Sequence, residues 1–373
     1  MNRTIDHINS ALLVGLLTLL VGCGAPAAGT SSTAPPGPTS VPIATSVPAQ
    51  PTSPPGPTSA PIATSAPAQP TSAPADAAQY RDDRSDAQAV VASFYNAINS
   101  RQYARAYGYW RQGAAGLPAF DAFVKGYSDT SAVQVIYGEA SGDAGAGQRY
   151  YSLPVGITSQ TSGGAQYYAG CYVLHLSSPA IQATPPFMPL SIESAKVQQV
   201  SAAPDRAGLA KLCDGVGTPA PRPIDPPATI DSSVYLDDRS DGTALLRSFY
   251  NAINRREYLR AYSYWQDPSA LPTLDAFGQG YDATKSVTLT TGEVSIGAAA
   301  GNRYDRVPAT IIATMNDGSQ QTFAGCYQLH LASPDAQAEP PFRGFGIERA
   351  TIARVAAGTD PATMMSQSCQ AMN

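Results

Sequence analysis

Charge is scarce in this chain. Of its 373 residues only 14% are Asp, Glu, Lys or Arg, against about 25% in an ordinary soluble domain. The 23 basic residues are outnumbered by 28 acidic ones, which leaves a net charge of −5. Without a basic excess there is no field to hold a nucleic acid, and none is expected as a partner. Histidine is nearly missing, with 3 in the chain, and cysteine stands at 5. That leaves little for imidazole catalysis or a metal cage, so neither a metal nor a cofactor is expected. No apolar run approaches the roughly 18 residues that a membrane-spanning helix needs. What replaces charge is 33 Pro and 32 Gly, a composition that points to a long low-complexity stretch.

The longest apolar run, Ala11 to Val21, follows Arg3 near the N-terminus. Its length suits the apolar part of a secretory signal, not a permanent span. It ends in Leu20-Val21-Gly22-Cys23, which resembles the lipobox of bacterial lipoproteins. Asp6 departs from the usual pattern by offsetting Arg3. The resemblance implies a signal peptide over 1–22 and diacylation of Cys23, the new N-terminal residue. The partner so implied is a membrane, reached through the lipid, with the rest of the chain extracytoplasmic at the cell membrane or surface. Two acyl chains would satisfy the two-signal requirement for stable anchoring.

Residues 23–78 are Pro, Thr, Ser, Ala and Gln with almost no charge and no aromatic residue, and they repeat internally. PPGPTSVPIATSVPAQPTS at 35–53 returns as PPGPTSAPIATSAPAQPTS at 54–72. Such a segment cannot bury enough apolar area to offset chain entropy, so a disordered linker is expected. Frequent Pro favours an extended stalk at about 3.1 Å per residue, and the Ser/Thr/Pro content permits O-glycosylation.

Beyond the linker the chain repeats at domain scale. Tyr80-Arg-Asp-Asp-Arg-Ser-Asp86 returns as Tyr235-Leu-Asp-Asp-Arg-Ser-Asp241. Aligned without a gap, Tyr80–Trp110 and Tyr235–Trp265 share 21 of 31 residues. Gly170-Cys171-Tyr172 answers Gly325-Cys326-Tyr327, and Pro185-Pro186-Phe187 answers Pro340-Pro341-Phe342. A period this long means a duplicated domain, since solenoid units run about 20–50 residues. The Pro-rich stretch TPAPRPIDPPAT separates the copies. The boundaries expected are 79–215 for the first domain, 216–232 for the linker and 233–373 for the second.

Within a unit, Ser85 reads as an N-cap, with Val90, Val91, Phe94, Tyr95 and Ile98 following at helical spacing. A second short helix places Tyr103, Ala106, Tyr107 and Trp110 on one face. Pro118 reads as the first residue of a third, which carries Phe120, Phe123 and Tyr127. The period then shifts toward two. Four strands are expected, over 132–140, 150–160, 167–177 and 190–200. In the second unit Asn316-Asp317-Gly318-Ser319 is a hairpin turn.

This order, with Phe94-Tyr95-Asn96-Ala97-Ile98-Asn99 and Tyr103-x-Arg105-Ala106-Tyr107-x2-Trp110, resembles the NTF2-like (SnoaL/ketosteroid-isomerase-like) superfamily. The resemblance implies an α+β fold of two tandem cone-shaped domains, each with three N-terminal helices packed on a curved four-stranded antiparallel sheet. That fold hosts isomerases, dehydratases and non-catalytic domains, and no catalytic residue of theirs maps onto this chain.

Four cysteines remain beyond Cys23. Cys171 and Cys213 are 42 residues apart, Cys326 and Cys369 are 43 apart. An even, duplicated pattern in an exported protein reads as one disulfide per domain. His175 and His330 hold one position in both copies. By period two, Cys171, Val173 and His175 share a strand face opposite Tyr172, Leu174 and Leu176. Two readings remain open for each histidine, a pocket acid, base or ligand donor and a structural group bonded to backbone. The candidate pocket comprises Tyr95, Tyr107, Trp110, Tyr127 and His175, with Tyr250, Tyr262, Trp265, Tyr281 and His330 as their copies. Aromatic faces with polar tips suit sugars, peptides or small apolar molecules. The expectation is a non-catalytic, lipid-anchored protein that binds a small ligand, a glycan or an envelope protein. The alternatives are an isomerase- or dehydratase-type enzyme using the two histidines and a purely structural envelope protein.

Overall fold

The computed structural model describes residues 79–213, 218–219 and 230–372. The expectations for the signal peptide, for Cys23, for the 23–78 linker and for most of the 216–232 linker lie outside those residues. The architecture is mixed helix and antiparallel sheet, with two sheets in tandem. The first repeat runs α1 (Ala87–Asn99), α2 (Tyr103–Tyr107), α3 (Phe120–Gly126), β1 (Thr130–Tyr137), β2 (Ser141–Gly145), β3 (Gln148–Thr161), β4 (Gly164–Ser177), β5 (Ser191–Val200) and α4 (Arg206–Leu209). A two-residue strand, β6 (Thr218–Pro219), pairs with β2. The second repeat runs α5 (Gly242–Asn254), α6 (Tyr258–Tyr262), α7 (Leu274–Gln279), β7 (Thr284–Thr291), β8 (Ser295–Ala299), β9 (Asn302–Met315), β10 (Gln320–Ala332), β11 (Gly346–Arg354) and α8 (Pro361–Gln370).

Each sheet has more strands than the four-stranded meander expected from periodicity, six in the first and five in the second. In the first, β5, β4 and β3 lie side by side, and β1 and β2 line up end to end along β3. A proline in the long strand explains the break. Pro154 lies inside β3 and has no amide to donate, so the edge strand parts there, at Gly138. The Gly138 amide still donates to the Pro154 carbonyl at 2.9 Å. Gly292 does the same to Pro308 in β9 at 2.8 Å, and β7 and β8 part around it.

The three N-terminal helices of each repeat pack on one face of its sheet. Val90, Val91 and Phe94 of α1 are fully buried against Leu153, Val155, Leu174 and Ile192. Burying each such side chain stabilises by about 1.5–3 kcal/mol. Asn99 ties the end of α1 to the sheet, its side chain accepting from the Val133 amide at 2.7 Å and donating to the Val133 carbonyl at 2.9 Å. Asn254 does the same for Val287.

The structure corrects several local expectations. The cap of α1 is Asp86, whose carboxylate accepts from the Ala89 amide at 2.9 Å, not Ser85. Helix α3 begins at Phe120, two residues beyond Pro118. On α2 the fully enclosed residues are Ala104, Arg105 and Ala106, while Tyr103 and Tyr107 are half-buried and Trp110 lies past the helix as a bridge partner of Ile192.

The C-terminal segments cross the outer face of each sheet, and the disulfides pin them there. Cys171–Cys213 joins β4 to the turn just after α4, and Cys326–Cys369 joins β10 to α8. The glycine before each strand cysteine has a packing reason. A Cβ on Gly170 or Gly325 would stand 2.0 or 1.9 Å from the carbonyl of Lys196 or Thr351 on the next strand.

Candidate functional site

Most of the aromatic candidates line the interior between helices and sheet. Phe94 meets Tyr95 at 4.7 Å and Trp110 at 6.2 Å between ring centres, and Tyr107 meets Phe123 at 5.3 Å. Tyr127 closes the group against Phe123 at 5.2 Å. Deep in this interior the Tyr95 and Tyr172 hydroxyls share a hydrogen bond of 2.8 Å. The second repeat repeats the set through Phe249, Tyr250, Trp265, Tyr262, Phe277 and Tyr281, and the Tyr250 and Tyr327 hydroxyls are 2.6 Å apart. Burial pushes the Tyr95, Tyr172, Tyr250 and Tyr327 hydroxyls up, and lifts Tyr127 and Tyr281 to about 12. All therefore stay neutral at physiological pH. Trp110 and Trp265 each keep a buried indole N–H without a partner among the described residues.

His175 and His330 do not join that interior. Tyr172, Leu174 and Leu176 of β4 are buried toward the helices, and His175 alternates onto the opposite, outer face. There it stacks on Tyr150 at 4.6 Å, and its Nε2 lies 2.6 Å from the Gln148 amide oxygen. Glu193, itself paired with Arg111, stands 4.0 Å from its Nδ1. Burial holds this imidazole below its ordinary range, although Glu193 opposes the effect. His330 stacks on Tyr304 at 4.9 Å, with its two nitrogens 2.9 Å from Gln266 and 2.8 Å from Asn302. The pocket expected from sequence thus divides, with the aromatics inside and each histidine outside, held by side-chain amides.

The largest concentration of buried polar groups was not expected at all. It lies where the two repeats meet, built from the Asp-Asp-Arg-Ser-Asp segments at 82–86 and 237–241 that sequence marked only as a repeat. Asp83 and Asp238 are antiparallel bridge partners. The Arg84 amide donates to the Asp237 carbonyl and the Arg239 amide to the Asp82 carbonyl, both at 2.7 Å. The serines complete the seam, with Ser240 Oγ accepting from the Asp82 amide at 3.0 Å and Ser85 Oγ from the Asp237 amide at 2.9 Å. That is why Ser85 is not free to cap α1. Asp82 accepts from Tyr109 at 3.0 Å and pairs with Arg84 at 3.2 Å, and Asp237 does likewise with Tyr264 at 2.9 Å and Arg239 at 3.1 Å. Burial alone would raise Asp237, but Arg239 and Arg260 outweigh it and hold this carboxyl below the usual range. Tyr109 and Tyr264 are fully buried, and sequence reasoning passed over both. Only their identical spacing after Asp82 and Asp237 could have marked them.

Open space lies along the same seam. A cleft of about 620 Å³ is walled by Tyr80, Ser100 and Gln102 of the first repeat and Asn302, Arg303 and Asp335 of the second. A neighbouring cleft of about 530 Å³ runs past Tyr103, Phe120 and Asp121 to Asp335, Glu339 and Pro340. Between them the Gln102 amide donates to Asp335 Oδ1 at 3.0 Å. Aromatic faces beside amide and carboxylate groups can stack on a sugar ring and bond its hydroxyls. No cluster of three or more His, Cys, Asp or Glu able to hold a metal occurs among the described residues. No described helix is long and apolar enough to cross a membrane.

No protein-family model matches the chain, and no curated protein matches it. A solved structure described as "Ntf2 like protein involved in plasmid conjugation" is similar over 70% of this chain and 99% of that chain, at 9% identity and a TM-score of 0.17. A likeness of that size carries no inference about fold or function.

Proposed function

We propose that this chain is a lipid-anchored protein of the cell envelope that binds a glycan in the seam between two NTF2-like repeats, without transforming it. The observation that carries the reading is the position of the open space. Both clefts lie where the repeats meet, on either side of the Gln102–Asp335 bond. The interior of each repeat, by contrast, is filled by aromatic rings and crossed by a tyrosine–tyrosine hydrogen bond. General acid–base catalysis needs a titrating group within reach of the reacting proton. The histidines sit on the outer sheet faces and line neither cleft, His330 meeting one only through its bond to the wall residue Asn302. The NTF2-like assignment rests on Phe94–Asn99 and Phe249–Asn254 and on three helices preceding an antiparallel sheet in each repeat. The anchor rests on Leu20-Val21-Gly22-Cys23, and the Pro-rich segment serves as the spacer between lipid and repeats.

Titration of the full chain with cell-wall oligosaccharides in a calorimeter tests the binding. Saturable binding is expected, with Gln102→Ala and Tyr103→Ala each weakening it roughly tenfold, the scale of one lost good contact. Absence of binding overturns the glycan reading. Binding untouched by both variants moves the site out of the seam, and turnover lost in His175→Ala with His330→Ala makes the protein an enzyme. Labelling cells with a palmitate analogue should tag the chain, and a Cys23→Ala variant that labels equally well refutes the anchor.

A further inference from the structure

At the centre of the seam two carboxylates oppose each other with no cation assigned to them. The bonds flanking Asp83 and Asp238 run from Arg84 to Asp237 and from Arg239 to Asp82. This makes them the non-hydrogen-bonded pair of an antiparallel ladder, whose side chains come closest, with Cα atoms about 4.5 Å apart. Like charges directly opposite in such a pair are destabilising. The surrounding charges are all committed. Arg84 is paired with Asp82 and lies over the Tyr109 ring at 4.4 Å, and Arg239 is paired with Asp237 over Tyr264 at 4.4 Å. Asp86 and Asp241 cap α1 and α5. Those helices reach the pair only through the neutral hydroxyls of Ser93 and Ser248. Asp83 accepts from the Ser85 amide at 3.0 Å and Asp238 from the Ser240 amide at 2.9 Å, and the hydroxyls of the same two serines also favour the charged carboxylates without outweighing burial. Asn could accept the same bond without the repulsion, yet both copies carry Asp while the neighbouring Arg81 has become Leu236.

We infer that the seam is closed by proton uptake: a proton held between Asp83 and Asp238 lets the two repeats pair, and its loss loosens the seam together with the clefts beside it. Burial and the facing Asp238 push the Asp83 carboxyl up to about 7, and burial raises Asp238 as well. In a parted seam both carboxyls would meet water and titrate near 4. Between about pH 4 and 7 the closed seam therefore keeps a proton that the open one has released. Closure is favoured most below that window and weakens as pH rises through it. Above about pH 7 the penalty is complete and constant. From pH 6 to pH 8 the closing equilibrium falls about tenfold. The consequence for a bound glycan rests on the function proposed above, whereas the pH dependence of the seam stands without it.

Hydrogen exchange on the full chain without ligand, corrected for the intrinsic pH dependence of exchange, reads the seam directly. Protection in the peptides spanning 80–86 and 235–241 should fall about tenfold between pH 6 and 8, with β4 and β10 unchanged. Asp83→Asn with Asp238→Asn should abolish the difference. Equal protection at both pH values in the unaltered chain, or an equal fall in the double variant, overturns the inference. Should the variant fail to fold, carboxyl carbon NMR of the unaltered chain decides. A midpoint near 7 at Asp83 or Asp238 supports the proton-closed seam, and midpoints below about 5 for both refute it.

Discussion

Arg105 and Arg260 occupy the same turn of the two repeats, and both are buried, at 1% and 0% exposure. They are neutralised differently. Arg260 pairs with Glu257 at 2.6 Å, and Glu257 is also held by Arg255 at 2.8 Å. Arg105 has no carboxylate partner among the described residues. It bonds the Gln102 amide oxygen at 2.7 Å and the Asn96 oxygen at 2.8 Å. Gln102 then reaches Asp335 in the other repeat. Repeat two thus gives its buried cation a carboxylate, whereas repeat one surrounds its own with neutral oxygens and ties one of their carriers, Gln102, to its neighbour. The same contrast recurs at β9, where buried Asp305 accepts from two nitrogens of Arg303 at 2.8 Å and from the Gly242 amide at 3.1 Å. In repeat one the residue at that register position, opposite Leu174, is Tyr151. Duplication kept the apolar frame and redistributed the charges, which makes repeat two the self-sufficient half.

Removing the disulfides should give the largest effects, and nearly equal ones. Closing loops of 42 and 43 residues contributes about 4 kcal/mol each in the chain-entropy description. Each repeat holds one Trp, so a Trp265→Phe background leaves Trp110 as the reporter of repeat one, and the reverse reports repeat two. Denaturant midpoints for Cys171→Ser with Cys213→Ser should match those for Cys326→Ser with Cys369→Ser. A larger loss in repeat two would show that the packing of α8 adds to the loop term. The arginines should then separate the halves. Arg260→Met strands buried Glu257 and should cost repeat two about 3 kcal/mol, the low end for a broken buried pair because Arg255 remains. Arg105→Met leaves only neutral partners and should cost repeat one about 1–2 kcal/mol. The opposite ranking would remove the contrast between the halves.

The frame was legible because its signals are local. Helical spacing marked α1, period two marked β3 and β4, and the duplicated cysteine spacing marked both disulfides. Period two also placed His175 on the face away from Tyr172, and grouping it with the aromatics ignored that constraint. What escaped has no local signature. Strands β2 and β8 are short Gly- and Ala-rich runs without apolar alternation, held by pairing with β3 and β9 and, for β2, with the two residues of β6. Ser85 looked like a cap because its true partner, the Asp237 amide, is 152 residues away. The clefts were invisible for the same reason, since each needs walls from both repeats.

Tyr95→Phe and Tyr250→Phe should have smaller effects that do not distinguish the halves. Each removes one member of a buried hydroxyl pair, at 2.8 and 2.6 Å, and leaves Tyr172 or Tyr327 to find another acceptor or donor. About 1 kcal/mol is expected in each repeat. Equal shifts in the two denaturant midpoints agree with a shared interior. A loss confined to one repeat would mean that the interiors have diverged along with the charges.

The smallest expected effect probes the contrast most directly. Gln102→Glu gives repeat one the acid that repeat two carries at Glu257. Alone it should change stability by less than about 0.5 kcal/mol. The carboxylate gains the buried Arg105 but loses the amide that donates to Asp335, and places two negative groups together across the seam. Asp335→Ala removes that second group. Gln102→Glu made in the Asp335→Ala chain should therefore stabilise repeat one, with a coupling of about 0.5 kcal/mol in the double-mutant cycle, small because Asp335 is exposed. The coupling should shrink as salt is added, since it is electrostatic and at the surface. Zero coupling at low salt would mean that Gln102 serves Arg105 alone, and that repeat one is as self-contained as repeat two.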